Sequence, residues 1–348
     1  MIPACLSLLF AFIIAIGRPS AVFGKIRASL WFFSRFEQKR LVFALISVLF
    51  AIAALYFYPN QSGVYWLISF SAFFILIAFL LDFKYIFPEI VDVKRQKGTD
   101  ANIDHQLEVI GVSVDDVAVA YPSEVVFTRH IVNDSINGQG VVAAYCALCR
   151  SGLIFSSEID GVQLYFTVSG VWRRNMIMTD RQTGSLWQQA TGMCIYGTFK
   201  GRSLNLLSGE NTTWGVWLKK FPESEFAIEC KEARRGFLSR KTMLKGLKIA
   251  TNSITPPGFS DLSGLEKRET IFGISFNGIE RAYPETELIK HPNFLDYFGN
   301  QKVNISYNPQ AHSLSAIDEK GHKLLIERHW WLGWKEFHPN TEIWKFNN

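Results

Sequence analysis

The chain has 348 residues, a formal net charge of +5 and five cysteines. This length allows two soluble domains, or one soluble region with a membrane segment. Five cysteines in so long a chain exclude a disulfide scaffold. The basic residues flank the apolar runs instead of forming a separate basic surface, so we predict no nucleic-acid partner.

Uncharged apolar runs near the N-terminus predict transmembrane helices. They cover residues 2–17, 41–58 and 64–81. The last two approach the roughly 20 residues that span a bilayer, and the polar turn at residues 59–63 joins them into a helical hairpin. The first run is shorter and lacks a basic n-region, so we interpret it as a short span or inserted segment and not as a cleaved signal. Residues 1–97 are therefore predicted to form the membrane segment.

Lysine and arginine flank the hairpin but are missing from its turn. Six lie between Arg18 and Arg40, four between Lys84 and Lys97, and none in residues 59–63. The positive-inside rule then places the soluble region in the cytoplasm. The protein is predicted to be integral to a lipid bilayer, the inner membrane if the source is bacterial. An extracytoplasmic soluble region stays open as the alternative, because the turn is so short.

The soluble part contains an internal repeat. Residues 109–122 align with residues 271–284 at an offset of 162, with five identities in fourteen positions, and the same offset pairs Tyr145 with Tyr307. A second match, of Trp214 and Trp217 with Trp331 and Trp334, has an offset of 117. The second copy has therefore lost about 45 residues after its Tyr307.

Each copy predicts a mainly β unit, because alternating Val residues flank turn pairs such as Asp115-Asp116. A short helix is predicted near residues 213–221, with Thr213 as its N-cap. We predict two pseudo-symmetric β-rich units, the first at residues 98–230 and a degenerate second one at 262–348. The basic segment 231–261 is interpreted as their linker.

The first copy alone contains a Cys-x-x-Cys motif. Cys146 and Cys149 have Asn308 and Ala311 at the corresponding positions of the second copy. Two cysteines at this spacing can form a reversible disulfide, and a positive or hydrogen-bonding neighbour favours the thiolate. Arg150 and His130 are the predicted neighbours. A strand-like segment follows the motif, so a thioredoxin fold is not predicted. The alternative of two inert buried thiols stays open.

The same cysteines could instead bind a metal. His130, Cys146 and Cys149 would give three ligands, and Met176 could add a thioether. This soft set suits copper better than magnesium or calcium, and zinc would need a fourth good ligand.

Polar residues of the first copy are predicted to bind a substrate or ligand. Asp180 to Gly184 is most simply a turn, but this segment lies in the part missing from the second copy. The predicted ligand-binding residues are Asn133, Asp134, Asp180, Arg181, Trp187 and Gln188.

Several motifs together resemble the bacterial and archaeal family of uncharacterised proteins known as domain of unknown function 3179. The resemblance extends over roughly residues 108–229. Ala147 stands where the family usually has proline, and Arg150 where it usually has glycine. The family has no established reaction, so the resemblance implies no activity. The matching motifs are His130–Asp134, Tyr145–Cys149, Val168–Gly170, Asp180–Trp187 and Thr212–Trp214.

These features predict a membrane-anchored protein with a redox-active thiol pair, possessing thiol–disulfide oxidoreductase-like chemistry if it is an enzyme. Its partner would be a small molecule or a protein thiol. The alternative is a non-catalytic module that binds a copper or zinc ion or a small polar ligand.

Overall fold

The computed structural model describes residues 1–23, 27–80, 82–91, 93–100, 102–228, 239–253, 259 and 261–346. These residues divide into two compact units. One comprises Met1–Ile86 with Ser169–Arg173, and the other comprises Phe87–Val168 with Arg174–Asn348.

The N-terminal unit is helical. Its helices are α1 (Ile2–Phe23), α2 (Arg27–Phe57), α3 (Ser62–Leu80) and α4 (Phe83–Ile86). The segments Lys39–Phe57 and Ser62–Leu80, with mean hydropathies of 2.3 and 2.2, are long and apolar enough to cross a membrane. The predicted helical hairpin is confirmed in this sense. The apolar part of α1, Ile2–Ala15, is shorter than a span.

The second unit is mainly β. Before residue 229 the strands are β1 (Ile90–Val91), β2 (Lys94–Lys97), β3 (Glu108–Val114), β4 (Val117–Pro122), β5 (Ile131–Ile136), β6 (Gln139–Cys146), β7 (Ser151–Ser156), β8 (Glu158–Ile159), β9 (Val162–Gln163), β10 (Phe166–Trp172), β11 (Asn175–Asp180), β12 (Leu186–Gln188), β13 (Cys194–Tyr196), β14 (Gly209–Thr213) and β15 (Glu225–Ile228). Residues 169–172 of β10 belong to the first unit. After residue 261 they are β16 (Thr270–Phe276), β17 (Ile279–Pro284), β18 (Asn293–Phe298), β19 (Gln301–Asn308), β20 (Ser313–Asp318), β21 (Glu327–Trp330) and β22 (Glu342–Ile343).

Short helices connect these strands. They are α5 (Ser123–Arg129), α6 (Trp214–Lys220), α7 (Arg240–Ser253), α8 (Glu285–Lys290) and α9 (Trp331–Phe337), with one 3-10 turn at Gly98–Asp100. Helix α6 confirms the helix predicted near residues 213–221, with Thr213 at the N-cap position. Much of the predicted linker 231–261 lies outside the described residues, and its described part contains α7.

Two sheets have corresponding strand orders, apart from one additional edge strand, β2, in the first. In the first sheet the order is β14-β3-β4-β15-β2, and in the second it is β21-β16-β17-β22. In each, the central hairpin is antiparallel and its second strand pairs in parallel with the strand that follows the Trp-bearing helix. The hairpin registers correspond as well, with Val109 opposite Pro122 and Ile271 opposite Pro284.

Two other sheets also correspond, except that β1 pairs in parallel with β5 in the first of them. Strands β5-β6-β7 form an antiparallel meander, as do β18-β19-β20. The chain then differs between the two halves of this region, the first containing β1 to β15 and the second containing β16 to β22. Between β7 and β14 it forms β8 to β13, whereas between β20 and β21 only residues 319–326 intervene. Strands β11, β12 and β13 are consecutive neighbours in an additional sheet.

A glycine and a tryptophan pack together in each half. A Cβ atom on Gly111 would lie 2.4 Å from the ring of Trp217, and one on Gly273 would lie 2.3 Å from the ring of Trp334. The Trp217 indole donates a hydrogen bond to Ser224 Oγ at 2.7 Å. Only glycine lets the strand approach the indole so closely, because any side chain would overlap the ring.

A tyrosine–aspartate hydrogen bond also occurs in each half, buried in the first and partly buried in the second. Tyr121 donates its hydroxyl to Asp134 Oδ2 at 2.6 Å, and Tyr283 donates to Asp296 Oδ2 at 2.6 Å. An arginine completes each group, but from different strands. Arg95 lies 2.6 Å from Asp134, whereas in the second half an arginine on β17 lies 2.7 Å from its aspartate.

Candidate functional site

The two cysteines of the motif lie at the turn of a β-hairpin, Cys146 directly before it and Cys149 within it. Cys146 ends β6 and pairs with Ser151 at the start of β7. The four residues between them form the turn, and Arg150 closes it with a φ of 49°. Cys146 and Cys149 are free thiols and are 2% and 1% exposed. The motif therefore lies in a hairpin turn, and not at the helix N-terminus that a thioredoxin-like site requires.

Hydrogen bonds distinguish the two thiols. Burial opposes ionisation of Cys146, but its sulfur accepts hydrogen bonds from the Cys149 thiol and from backbone N–H groups, including that of Met176, and these lower the pKa of Cys146. The hydrogen bond to Cys146, together with burial, raises the pKa of Cys149 well above its ordinary value. Cys146 is therefore the thiol that ionises first.

Cys149 contacts the segment around β11. Its Sγ lies 3.2 Å from the carbonyl oxygen of Arg174, which is a second acceptor for the thiol proton. Asn175 Nδ2 lies 3.5 Å from the same sulfur. The charge of Arg174 acts on Cys149 in the direction that favours the thiolate. This cation was not predicted from the sequence.

A fully buried amide network supports this arrangement. Asn175 donates to Gln189 Oε1 at 2.9 Å and accepts from Gln188 at 2.7 Å. Gln189 in turn donates to the carbonyl oxygens of Ala144 and Ser151, at 3.2 and 3.3 Å, on the two strands of the motif. The network fixes β11 and β12 against the cysteine hairpin.

The second half of the soluble region covers the motif. A Cβ atom on Gly333 would lie 2.7 Å from Cys149 Cβ, so the α9 backbone lies directly against this cysteine. The N–H of Trp330 donates to the carbonyl oxygen of Cys149 at 2.7 Å. Arg174 and Glu336 form an ion pair beside them, with side chains that are 5% and 8% exposed. A residue lacking a side chain is needed at position 333, and the sequence alone gave no reason to choose it.

His130 is buried but is not among the hydrogen-bonding partners of the sulfurs described above. Its ring lies on Phe87, with centroids 4.1 Å apart, and Nδ1 has no hydrogen-bond partner. Burial lowers the pKa of His130 to about 4, opposed by a hydrogen bond to the backbone of Phe127. The imidazole is therefore neutral near pH 7.

Arg150 is exposed, whereas both thiols are buried. Its guanidinium carbon lies 5.9 Å from the centroid of the Trp330 ring. The residue lines an open cleft together with Tyr145 and Ala147. The structure does not bring Arg150 into the hydrogen bonds around Cys146, where Leu148 and Cys149 supply backbone donors.

The structure does not support the metal alternative. Among the residues that it describes, no group of three or more His, Cys, Asp or Glu residues is arranged to hold an ion. Met176, the predicted thioether ligand, is 2% exposed and contributes its backbone N–H to Cys146.

Asn133 and Asp134 serve the fold. Asn133 donates to the carbonyl oxygen of Phe166 at 2.9 Å and accepts from its N–H at 2.7 Å. Asp134 is occupied by Tyr121 and Arg95. These contacts give both side chains partners inside the protein.

The side chains of residues 180–188 are divided between the core and the surface. Asp180 is fully buried and accepts hydrogen bonds from Thr183 and from the Trp187 indole at 2.6 and 2.8 Å. Trp187 and Gln188 are buried in the core, whereas Arg181 is exposed and paired with Glu89. The structure thus does not bring Arg181, Trp187 and Gln188 together to line one pocket, because the turn at Asp180 directs Arg181 outward.

Together these observations define a mainly β soluble region with two buried thiols in a hairpin turn and two N-terminal helices that are candidate membrane spans. Residues 85–240 match the family model described as "Protein of unknown function (DUF3179)". The resemblance to this family predicted from the motifs is confirmed over those residues. Comparison with curated proteins and with solved structures gave no match.

Proposed function

We propose that this protein is a membrane-anchored thiol protein in which Cys146 and Cys149 form a reversible disulfide. The observation that carries the proposal is the pair of buried thiols in one turn, with Asn175 Nδ2 3.5 Å from Cys149 Sγ and with neighbouring donors that lower the pKa of Cys146. A thiolate in a buried site needs such donors, because nothing else replaces its hydration. An inert core thiol needs none of them.

The chemistry is a two-electron exchange with a small disulfide such as oxidised glutathione. The Cys146 thiolate attacks one sulfur of that disulfide and releases one glutathione thiolate. Cys149 then loses its proton and attacks Cys146 Sγ, which releases the second glutathione and leaves the protein disulfide. Since both thiols are nearly inaccessible, a small molecule fits this role better than a protein thiol unless the cover around Gly333 opens.

The polar neighbours support a role specific to the first copy. Asn175 and Gln189 belong to the segment that has no counterpart between β20 and β21. Cys146 and Cys149 are likewise replaced by Asn308 and Ala311. The two thiols and the amide network are therefore both present in the first copy and both missing from the second.

The proposal includes the descent of both halves from one duplicated unit, with only the first carrying the thiol site. The shared sheet orders, the hairpin registers, and the paired glycine–tryptophan and tyrosine–aspartate contacts support it. An experimental structure in which β3–β7 and β16–β20 superpose with equivalent strands would support duplication. Different connectivity in the two halves would refute it.

Differential alkylation tests the thiol proposal. Full-length protein in detergent, with Cys5, Cys194 and Cys230 replaced by serine, is equilibrated in glutathione buffers of graded potential and then alkylated. We expect one reversible transition in which both thiols become protected together. Single variants Cys146→Ser and Cys149→Ser serve as controls, and we expect the remaining Cys146 to react at lower pH than the remaining Cys149. Thiols that stay reduced at every potential would refute the proposal.

The orientation in the membrane is also a proposal. We infer that the soluble region faces the cytoplasm, since Lys and Arg flank the hairpin and are missing from its turn. A reporter fused after Asn348 that is active only outside the cytoplasm should stay inactive. Reporter activity would reverse the orientation and make a standing disulfide the expected state.

The second candidate function is binding of a small polar ligand without turnover. A cleft of about 500 Å³ beside the cysteine turn favours it. Its wall includes Arg150 and Ala147 from the turn, Tyr145 from β6 and Trp330 from β21. This volume is within the range of small-molecule sites.

A further inference from the structure

A carboxylate bridges two side chains on the second half of the soluble region. Tyr307 donates its hydroxyl to Glu285 Oε1 at 2.5 Å, and His312 Nδ1 lies 2.8 Å from the same oxygen. These hydrogen bonds outweigh burial and lower the pKa of Glu285, with a contribution from the positive charge of Arg328. Tyr307 and His312 thus form a carboxylate-binding site that Glu285 of the same chain occupies.

The first half has the same backbone frame but no such carboxylate. At the offset of 162, Tyr307 corresponds to Tyr145, His312 to Arg150 and Glu285 to Ser123. Both turns hold four residues between paired strands, and Arg150 and His312 have φ angles of 49° and 47°. The first half therefore keeps the tyrosine and a cation but has a serine in place of the glutamate.

The three first-half side chains line open space. Ser123, Tyr145 and Arg150 border a recess of about 20 Å³ and also the cleft of about 500 Å³. Such a recess accommodates one water-sized atom, and hence one ligand oxygen. Among the described residues, none accepts a hydrogen bond from the Tyr145 hydroxyl or forms an ion pair with Arg150.

A buried hydroxyl at the recess also lacks a partner. Thr212 is 3% exposed and lines the recess, and its Oγ1 makes no hydrogen bond. Buried polar groups are normally satisfied, so an orphan hydroxyl indicates an atom that the fold does not supply. Burial raises the pKa of Tyr145 to about 12, so its hydroxyl remains a donor at neutral pH.

We propose that the first half binds the carboxylate of a small molecule between Tyr145, Arg150 and Thr212, where Glu285 would lie in the second half. The proposal rests on the second candidate function and not on thiol chemistry. Arg150 supplies the counter-charge, because a guanidinium pairs well with carboxylates. The larger cleft takes the rest of the ligand against Phe127, Tyr145 and Trp330.

Other charged groups around the cleft define the ligand further. Arg328 borders the recess and Lys248 the cleft, whereas Glu108 borders both and Glu124 borders the cleft. A second carboxylate on the ligand would be repelled by the negative charges of Glu108 and Glu124. We therefore expect a monocarboxylate with an apolar or weakly cationic body.

Ligand-observed ¹⁹F NMR with 4-fluorophenylacetate tests the proposal on full-length protein in detergent. We expect resonance broadening that saturates in the millimolar range, and none with the neutral isostere 4-fluorophenylacetamide. Arg150→Gln should weaken binding by roughly ten-fold or more, as expected for loss of a charge-assisted hydrogen bond. Ser123→Glu should abolish binding by restoring an internal carboxylate.

Matched variants keep the result interpretable. Ser135→Glu adds the same charge at an exposed serine outside the cleft and should bind like the parent protein. Melting temperatures identify any variant that fails to fold. Tyr145→Phe, which keeps the aromatic ring, then takes the place of that variant. Equal binding of the amide and the acid would refute the carboxylate proposal but retain a ligand cleft. A concentration of ~10 mM is well above the dissociation constant of a millimolar site. No binding of either probe at that concentration would refute both the carboxylate proposal and the ligand cleft.

Discussion

The six-membered ring of Trp217 faces Gly111 so closely that a Cβ atom on residue 111 would lie 2.4 Å from the ring. Trp217 belongs to α6, which follows the long insertion, whereas Gly111 belongs to β3, near the start of the sheet. The contact therefore joins the two ends of the first half of the soluble region. Both residues are required by shape, one because it is large and the other because it lacks a side chain.

Gly111→Ala should destabilise the protein. The added methyl group must displace a buried indole or the strand, which typically costs about 1–3 kcal/mol. Chemical unfolding of the protein in detergent, monitored by tryptophan fluorescence, measures the loss. Gly209→Ala is the matched control, because its Cβ would have no neighbour closer than 3.7 Å. Equal stability of the two variants would show that the indole moves freely.

Tyr121→Phe should destabilise the fold by about 1–3 kcal/mol, since it leaves the buried Asp134 without one of its donors. Tyr283→Phe makes the corresponding change in the second half, where Tyr283 donates to Asp296. Its cost should be smaller, because Asp296 is more exposed than Asp134. Urea midpoints of the two variants provide the comparison. A larger loss for Tyr283→Phe would contradict this reasoning.

Stability should fall as the pH drops from 6.5 towards 4. Burial lowers the pKa of His130 to about 4 from an ordinary 6.5, so only the unfolded chain binds the proton in this interval. Above pH 6.5 His130 is neutral in both states and does not lower stability. Protonation of His130 in the unfolded state lowers the free energy of unfolding by about 3 kcal/mol by pH 4. His130→Asn keeps a residue suited to the positive φ of 66° and should flatten this part of the profile. An unchanged slope in that variant would assign the pH dependence to other groups.

Gly333→Ala should disturb the cysteine turn from the other half of the soluble region. Its new methyl group would lie 2.7 Å from Cys149 Cβ, so α9 must move away from the hairpin. We expect a loss of about 1–3 kcal/mol and faster alkylation of Cys149 as its cover loosens. The control is Gly246→Ala in α7, where a Cβ meets nothing within 4 Å. Unchanged thiol reactivity in Gly333→Ala would mean that α9 does not limit access.

Patterns that depend on nearby residues were predicted well from the sequence. The hairpin at residues 109–122, the helix after Thr213 and the apolar runs at 41–58 and 64–81 all depend on local periodicity and turn residues. The helices α5, α8 and α9 were not predicted, although α9 repeats the Trp-x-x-Trp spacing of α6. The apolar length of α1 was correctly seen to be shorter than a span.

Site residues were harder to predict, because residue type does not reveal which way a side chain faces. Cys146 and Cys149 were identified by their spacing, and the structure describes both as buried thiols. Arg150 was assigned to them by sequence proximity, but the left-handed backbone at that residue directs it into the cleft. The positive charge that acts on Cys149 belongs to Arg174, which is 25 positions away in the chain.

The sequence by itself determined two apolar helices long enough to cross a membrane, the β-rich character of the soluble region and the presence of two thiols at disulfide spacing, because each depends on residues close together in the chain. Only the tertiary structure decided what surrounds those thiols. Asn175, Gln189 and Gly333 reach the cysteine turn from a strand, a turn and a helix that are remote in sequence. Their contacts arise from sheet packing, which brings together residues that no local pattern connects.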